Sequence, residues 1–176
     1  MLRRLAAAIA VAALHGMAAG ADLLVRELEQ RYTRDGADAV NEHLVAHWDS
    51  AMAPFALQAA ACDLQAVSLA IRLSRGGNQR AVLAHTDALR AATGRCARFV
   101  LALAPPDEIA RYCASVDAWS AARMARELRR RIAEIDADPL LRSGPRGQAC
   151  RAAYVYEFQN TRVTLKAAPA GPRQGR

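Results

Sequence analysis

Four cysteines, Cys62, Cys96, Cys113 and Cys150, constrain this chain more than any other feature. Their number is even and none stands in a close C-x2-4-C pair, the spacing that structural zinc sites favour. In an oxidising compartment such a set forms two disulfides. All three pairings are open from sequence alone. Two antiparallel helices of similar length between Cys62 and Cys96 favour Cys62–Cys96 with Cys113–Cys150. A tight hairpin around Pro105 would instead join Cys96 to Cys113 and leave Cys62 with Cys150.

The N-terminus agrees with that compartment. Arg3 and Arg4 precede an apolar run from Leu5 to Leu14, and Ala19-Gly20-Ala21 supplies the small residues of a cleavage site. This is the three-part order of a secretory signal. The sequence therefore predicts a cleavable signal over 1–21, a helical domain over 22–166 and a disordered Pro/Gly-rich tail over 167–176. The apolar run is too short to cross ~30 Å of hydrocarbon, so no membrane span is expected after processing. The expected location is periplasmic or secreted.

Helical spacing dominates the remainder. Leu24 and Leu28 mark a helix near 22–33, which Asp35-Gly36 punctuates before a second over 37–50. Pro54 suits the first turn of a third helix. Its apolar row, Leu57, Ala60, Ala61, Leu64, Val67 and Ile71, predicts one continuous element to Ser74. Gly76-Gly77 reads as a left-handed cap. Asn78 opens a fourth helix, stopped at Gly94, and a short apolar helix follows to Leu103. Asp117 reads as the cap of the longest helix, 117–137, with Ala121, Ala125, Leu128, Ile132 and Ile135 inward. The segment 154–166 reads as helix, with a β-hairpin as the alternative because Tyr154, Tyr156 and Phe158 alternate. The fold class is thus an all-α, single-domain bundle of about six to eight helices with two disulfides.

Function is less legible. Arginine supplies all but one of the 24 basic residues, Lys166 being the exception, and the formal charge is +7. A basic exported chain suits anionic partners: envelope polymers, lipid headgroups or acidic proteins. Nucleic acid is not expected, since no compact basic block with interleaved aromatics occurs. Haem, zincin and di-iron motifs are absent from the sequence, as is a G-x-S-x-G elbow, so no cofactor is expected. His43 and His47 stand at i, i+4 on one helix, half of a transition-metal site that needs a third ligand such as His85 or Asp49. Arg123, Arg126 and Arg130 form an arginine row. They are either a solvated face, an interface or the lining of an enzyme pocket for a small anion. Trp119, Tyr154 and Tyr156 are the candidate aromatic anchors.

The expectation is an exported, non-enzymatic protein that binds another protein of the cell envelope, as an inhibitor, immunity factor or adaptor. The alternatives are a metal-binding protein using His43 and His47, and a small all-α enzyme with an arginine-lined pocket.

Overall fold

The computed structural model describes residues 2–114 and 120–167, with side chains described over 22–114 and 120–161. Eight α-helices and no strand occur among them. The two disulfides are Cys62–Cys96 and Cys113–Cys150, and no described cysteine is free. The elements cluster into two compact units, residues 1–92 and 93–176. No single helix among the described residues is long and apolar enough to cross a membrane.

The first unit opens with α1 (Leu2–Ala46), which breaks at Gly36 (φ 83°, ψ 177°) as the Asp35-Gly36 pair predicts. The backbone of residues 2–21, where the sequence reading expects a signal, is part of this helix. The side chains on which a signal reading rests fall outside the described ones. A π-helical turn (Trp48–Met52) leads into α2 (Ala53–Ala60), with Pro54 in its first turn. Here the sequence reading is corrected. One helix from Pro54 to Ser74 is expected, yet the chain bends by 115° between Ala60 and Leu64. Cys62 adopts φ 72°, a left-handed conformation that costs a non-glycine residue about 1 kcal/mol. Asp63 then caps α3 (Leu64–Leu73) by accepting from Ala66 N at 2.8 Å. A side chain able to satisfy an orphan helix donor competes with helix continuation.

Gly76 and Gly77 are also reassigned. They adopt no left-handed conformation, and their smallness lets the chain approach α1 closely. Asp38 Oδ1 accepts from Gly77 N at 2.6 Å. Val40, Leu44, Met52, Phe55, Val67 and Leu89 fill this unit's core. Inside it, Asn41 Nδ2 donates to Leu73 O at 3.0 Å, satisfying a carbonyl at the end of α3.

α4 (Gln79–Leu103) runs past Gly94 and bends instead at Cys96 (φ −141°, ψ 50°). The second unit continues through a 3-10 turn (Pro106–Glu108) to α5 (Ile109–Tyr112). α6 (Ala121–Ala137) is capped by Ser120, whose side chain accepts from Arg123 N. Asp117 lies outside the described residues. Asp138 ends α6 and caps α7 (Pro139–Ser143), accepting from Leu140 N at 2.9 Å, and it receives both Nε and Nη2 of Arg98 at 2.9 Å. α8 (Pro145–Ala167) starts inside the expected turn at 143–147 and covers the segment for which a hairpin was the alternative. The alternation of Tyr154, Tyr156 and Phe158 is therefore not a strand signal. Cys150 and Tyr154 share one buried row at i, i+4 while Tyr156 is exposed; a strand would turn Tyr154 and Tyr156 to the same face, and a helix does not. Arg146, near the start of α8, donates to Leu101 O at 2.9 Å and to Ala102 O, satisfying the last carbonyls of α4.

The second unit closes on a buried guanidinium. Arg131 is 5% exposed. Its Nε donates to Glu127 Oε1 at 2.9 Å, and its Nη1 donates to Tyr154 Oη at 3.3 Å. Gly94 makes room for it, since a Cβ there would stand 2.5 Å from Arg131 Nη2 and 2.6 Å from Cζ. A surface arginine would swing aside, but this one would have to leave its partners. Gly94→Ala is therefore expected to destabilise the protein by about 1–3 kcal/mol, despite the roughly 1 kcal/mol that alanine gains over glycine in a helix. Urea unfolding of the oxidised protein reads the sign, and a net gain in stability would show that Arg131 is not pinned.

Candidate functional site

His43 and His47 do come together. Their ring centroids are 4.4 Å apart, and His47 Nδ1 lies 2.9 Å from His43 O. Burial, then Arg31, then His47 itself hold the His43 imidazole below its ordinary value, so it stays neutral and able to ligate. A third ligand is not brought to them. Among the described residues, no group of three or more His, Cys, Asp or Glu side chains could hold a metal ion. Two imidazoles without a third protein ligand leave a zinc site incomplete. Titration of Zn²⁺ into the oxidised protein is expected to give no stoichiometric site. A tight site that His47→Ala abolishes would restore the metal reading.

His85, the first candidate for that third ligand, is fully buried and differently occupied. Its Nε2 lies 2.9 Å from Asn41 Oδ1, and Phe55 packs edge-on at 5.6 Å between centroids. Because the Asn41 amide nitrogen is committed to Leu73 O, its oxygen must face the imidazole and Nε2 must donate. Nδ1 then carries the lone pair, and it is buried without a hydrogen-bond partner. A proton on Nδ1 would be a buried donor with nothing to receive it, and burial pushes the pKa down to about 4. The folded pKa is thus below the unfolded value of roughly 6.5. The resulting stability is complete above pH 6.5 and is lost as the pH falls toward 4. Chemical denaturation should show a loss of about 3 kcal/mol between pH 7 and pH 4. His85→Gln should flatten most of that slope, leaving the smaller contribution of His43. An unchanged slope in the variant would exclude His85 as its source.

The arginine row lies on α6. Arg123, Arg126 and Arg130 are exposed and, with Glu127, line a cleft of about 310 Å³. Arg130 is heavily engaged: it pairs with Glu127 and Glu134 and donates to Gly94 O at 3.3 Å. Glu127 receives Arg130 on one side and Arg131 on the other, and the hydrogen bond from Arg130 leads in holding its pKa down to about 2. Arg126 has no carboxylate partner among the described residues. The first turn of α6 contains no acidic residue, so its positive end carries positive side chains, an arrangement that the helix dipole opposes.

The aromatic candidates separate. Tyr156 is 69% exposed, beside an apolar cleft of about 370 Å³ lined by Ala110, Ala114, Ala153 and Cys113, with Glu157 and Asn160 also on its wall. Tyr154 is buried, and its hydroxyl is engaged by Arg131. It is a core residue rather than an interface anchor, because the helical pitch of α8 turns it inward. Trp119 lies outside the described residues. Phe158 is half-buried, with Arg129 5.8 Å above its ring. Sequence reasoning missed Arg131. Its signal was available: position 131 falls three after Leu128 and four before Ile135, on the apolar row.

No family model matches the chain, and no curated protein or solved structure is significantly similar to it.

Proposed function

We propose that this chain is an exported, non-enzymatic helical protein that acts by binding another protein of the cell envelope, as an inhibitor, immunity factor or adaptor. Tyr156 is the observation that carries this reading. Aromatic residues make up only 5% of the chain, yet this one stands exposed beside an apolar cleft next to the Cys113–Cys150 bridge. Tyrosine supplies a large amphipathic contact with few rotatable bonds, which is why it is enriched where proteins meet. The bridge and the packed α5 and α8 give that contact a pre-organised base, so little ordering entropy is lost on binding. Disulfides belong to oxidising compartments, which agrees with export and with a partner in the envelope.

The enzyme alternative has less support. The arginine cleft is lined by no apolar side chain, whereas small-molecule pockets are mostly apolar with a few placed polar groups.

The test is in-cell crosslinking of the tagged full-length chain, followed by mass spectrometry of the envelope fraction. One stoichiometric partner is expected, and Tyr156→Ala should reduce its capture at least tenfold. An exposed substitution of this kind leaves stability within about 0.5 kcal/mol. Absence of a partner, or capture that ignores Tyr156, would overturn the reading.

A further inference from the structure

The two disulfides differ in their surroundings. Cys113 and Cys150 are both 0% exposed. Although Cys113 borders the Tyr156 cleft, a reagent in that cleft meets none of its accessible surface. Cys62 and Cys96 are only half-buried. Cys96 lines a separate cleft of about 320 Å³, together with Thr93, Ala97 and Phe99.

The backbone at Cys62 adds a second observation. Asp63 N donates to Gln58 O at 3.1 Å, and Cys62 N donates to Ala59 O at 3.0 Å. These are the paired bonds of a Schellman ending to α2, which puts Cys62 at the left-handed position that glycine usually takes. Its φ is 72°. Glycine would rest there without penalty, whereas a Cβ is opposed. The residue that this corner disfavours is the one that carries the bridge.

We infer that Cys62–Cys96 is a redox site: a small thiol opens it by exchange, and opening releases the corner between α2 and α3, whereas Cys113–Cys150 stays closed. The entering thiolate attacks Cys96 Sγ from the cleft. A new sulfur–sulfur bond forms to Cys96, the Cys62–Cys96 bond breaks, and its electron pair leaves on Cys62 as a thiolate. A second small thiolate then attacks the small molecule's sulfur in the mixed disulfide and expels Cys96 as a thiolate. Two thiols are joined and oxidised for each bridge reduced. Exchange requires access to a sulfur, and exposed bridges are the labile ones. Without the tether, Cys62 is free to leave the left-handed region, and the two Schellman bonds loosen. The site goes beyond partner binding through Tyr156 and does not require it.

The experiment incubates the full oxidised chain with reduced glutathione in native buffer, quenches with N-ethylmaleimide and maps the cysteines by mass spectrometry. The first product should carry glutathione on Cys96 and N-ethylmaleimide on Cys62, and this bridge should open at least tenfold faster than Cys113–Cys150. Ala97→Leu fills the cleft from its wall and should slow the opening at least fivefold, with circular dichroism unchanged. If that variant does not fold, the mapping of the wild type decides alone. Amide exchange followed by NMR after selective opening should be at least tenfold faster at Cys62 and Asp63, while the Ser74 amide, bonded to Ala70 O at 2.9 Å, keeps its protection. Equal rates at the two bridges would show that reduction waits for global unfolding and would overturn the inference. So would glutathione found first on Cys62, a folded Ala97→Leu that opens as fast as the wild type, or corner amides that opening leaves unchanged.

Discussion

A buried arginine governs the second unit. Taking a guanidinium out of water costs several kcal/mol unless charge and donors are matched. Arg131 meets that demand with Glu127 on its own helix and Tyr154 on α8, in space left by Gly94 on α4. Three elements far apart in sequence are thereby required to meet in one register. The Cys113–Cys150 bridge, with Cα atoms 5.2 Å apart, ties the segment after α5 to α8 one turn before Tyr154. Apolar packing alone tolerates sliding, because leucine and alanine surfaces are non-directional. A charge with few acceptors is directional, and breaking one of its contacts is expensive.

The first unit solves the same problem with neutral groups. His85, Asn41 and the Leu73 carbonyl form a buried relay in which each donor has an acceptor, and the Nδ1 lone pair alone has no donor. That single open position leaves the imidazole hydrogen-bonded when neutral and unsatisfied when charged. The two units accordingly respond to acid in different ranges. The first loses stability below pH 6.5, where the unfolded chain's histidine gains a proton that buried His85 does not take up until about pH 4. The second holds until Glu127, kept near 2 by its arginines, begins to protonate in the unfolded chain near 4.5.

Much of the fold was legible because helices announce themselves through period and caps. The break at Gly36, the first-turn Pro54 and the stop at Asp138-Pro139 all follow from side-chain chemistry acting within a few residues. The failures share a cause. The bend at Cys62-Asp63 was hidden by an apolar row that continues across it, although Asp63 already supplied a cap. Gly94 was read as a helix stop because local propensity says so, whereas its role is to clear space for a residue 37 positions later. Tyr154 and Tyr156 look alike in sequence, and only the pitch of α8 sends one into the core and the other to the surface. Arg131 was passed over because arginine on an apolar row is read as a surface residue unless its partners are known.

The inward arginine also shapes the outward face. Had Arg131 been apolar, Glu127 would be free to neutralise its helical neighbours, including Arg123 at i−4. Instead Arg131 draws Glu127 toward the interior, and Arg130 holds its other side. The carboxylate that could have balanced the row is consumed in stabilising the core. The same network that fixes the fold therefore reaches the surface, because the carboxylate that holds the buried Arg131 also holds the exposed Arg130.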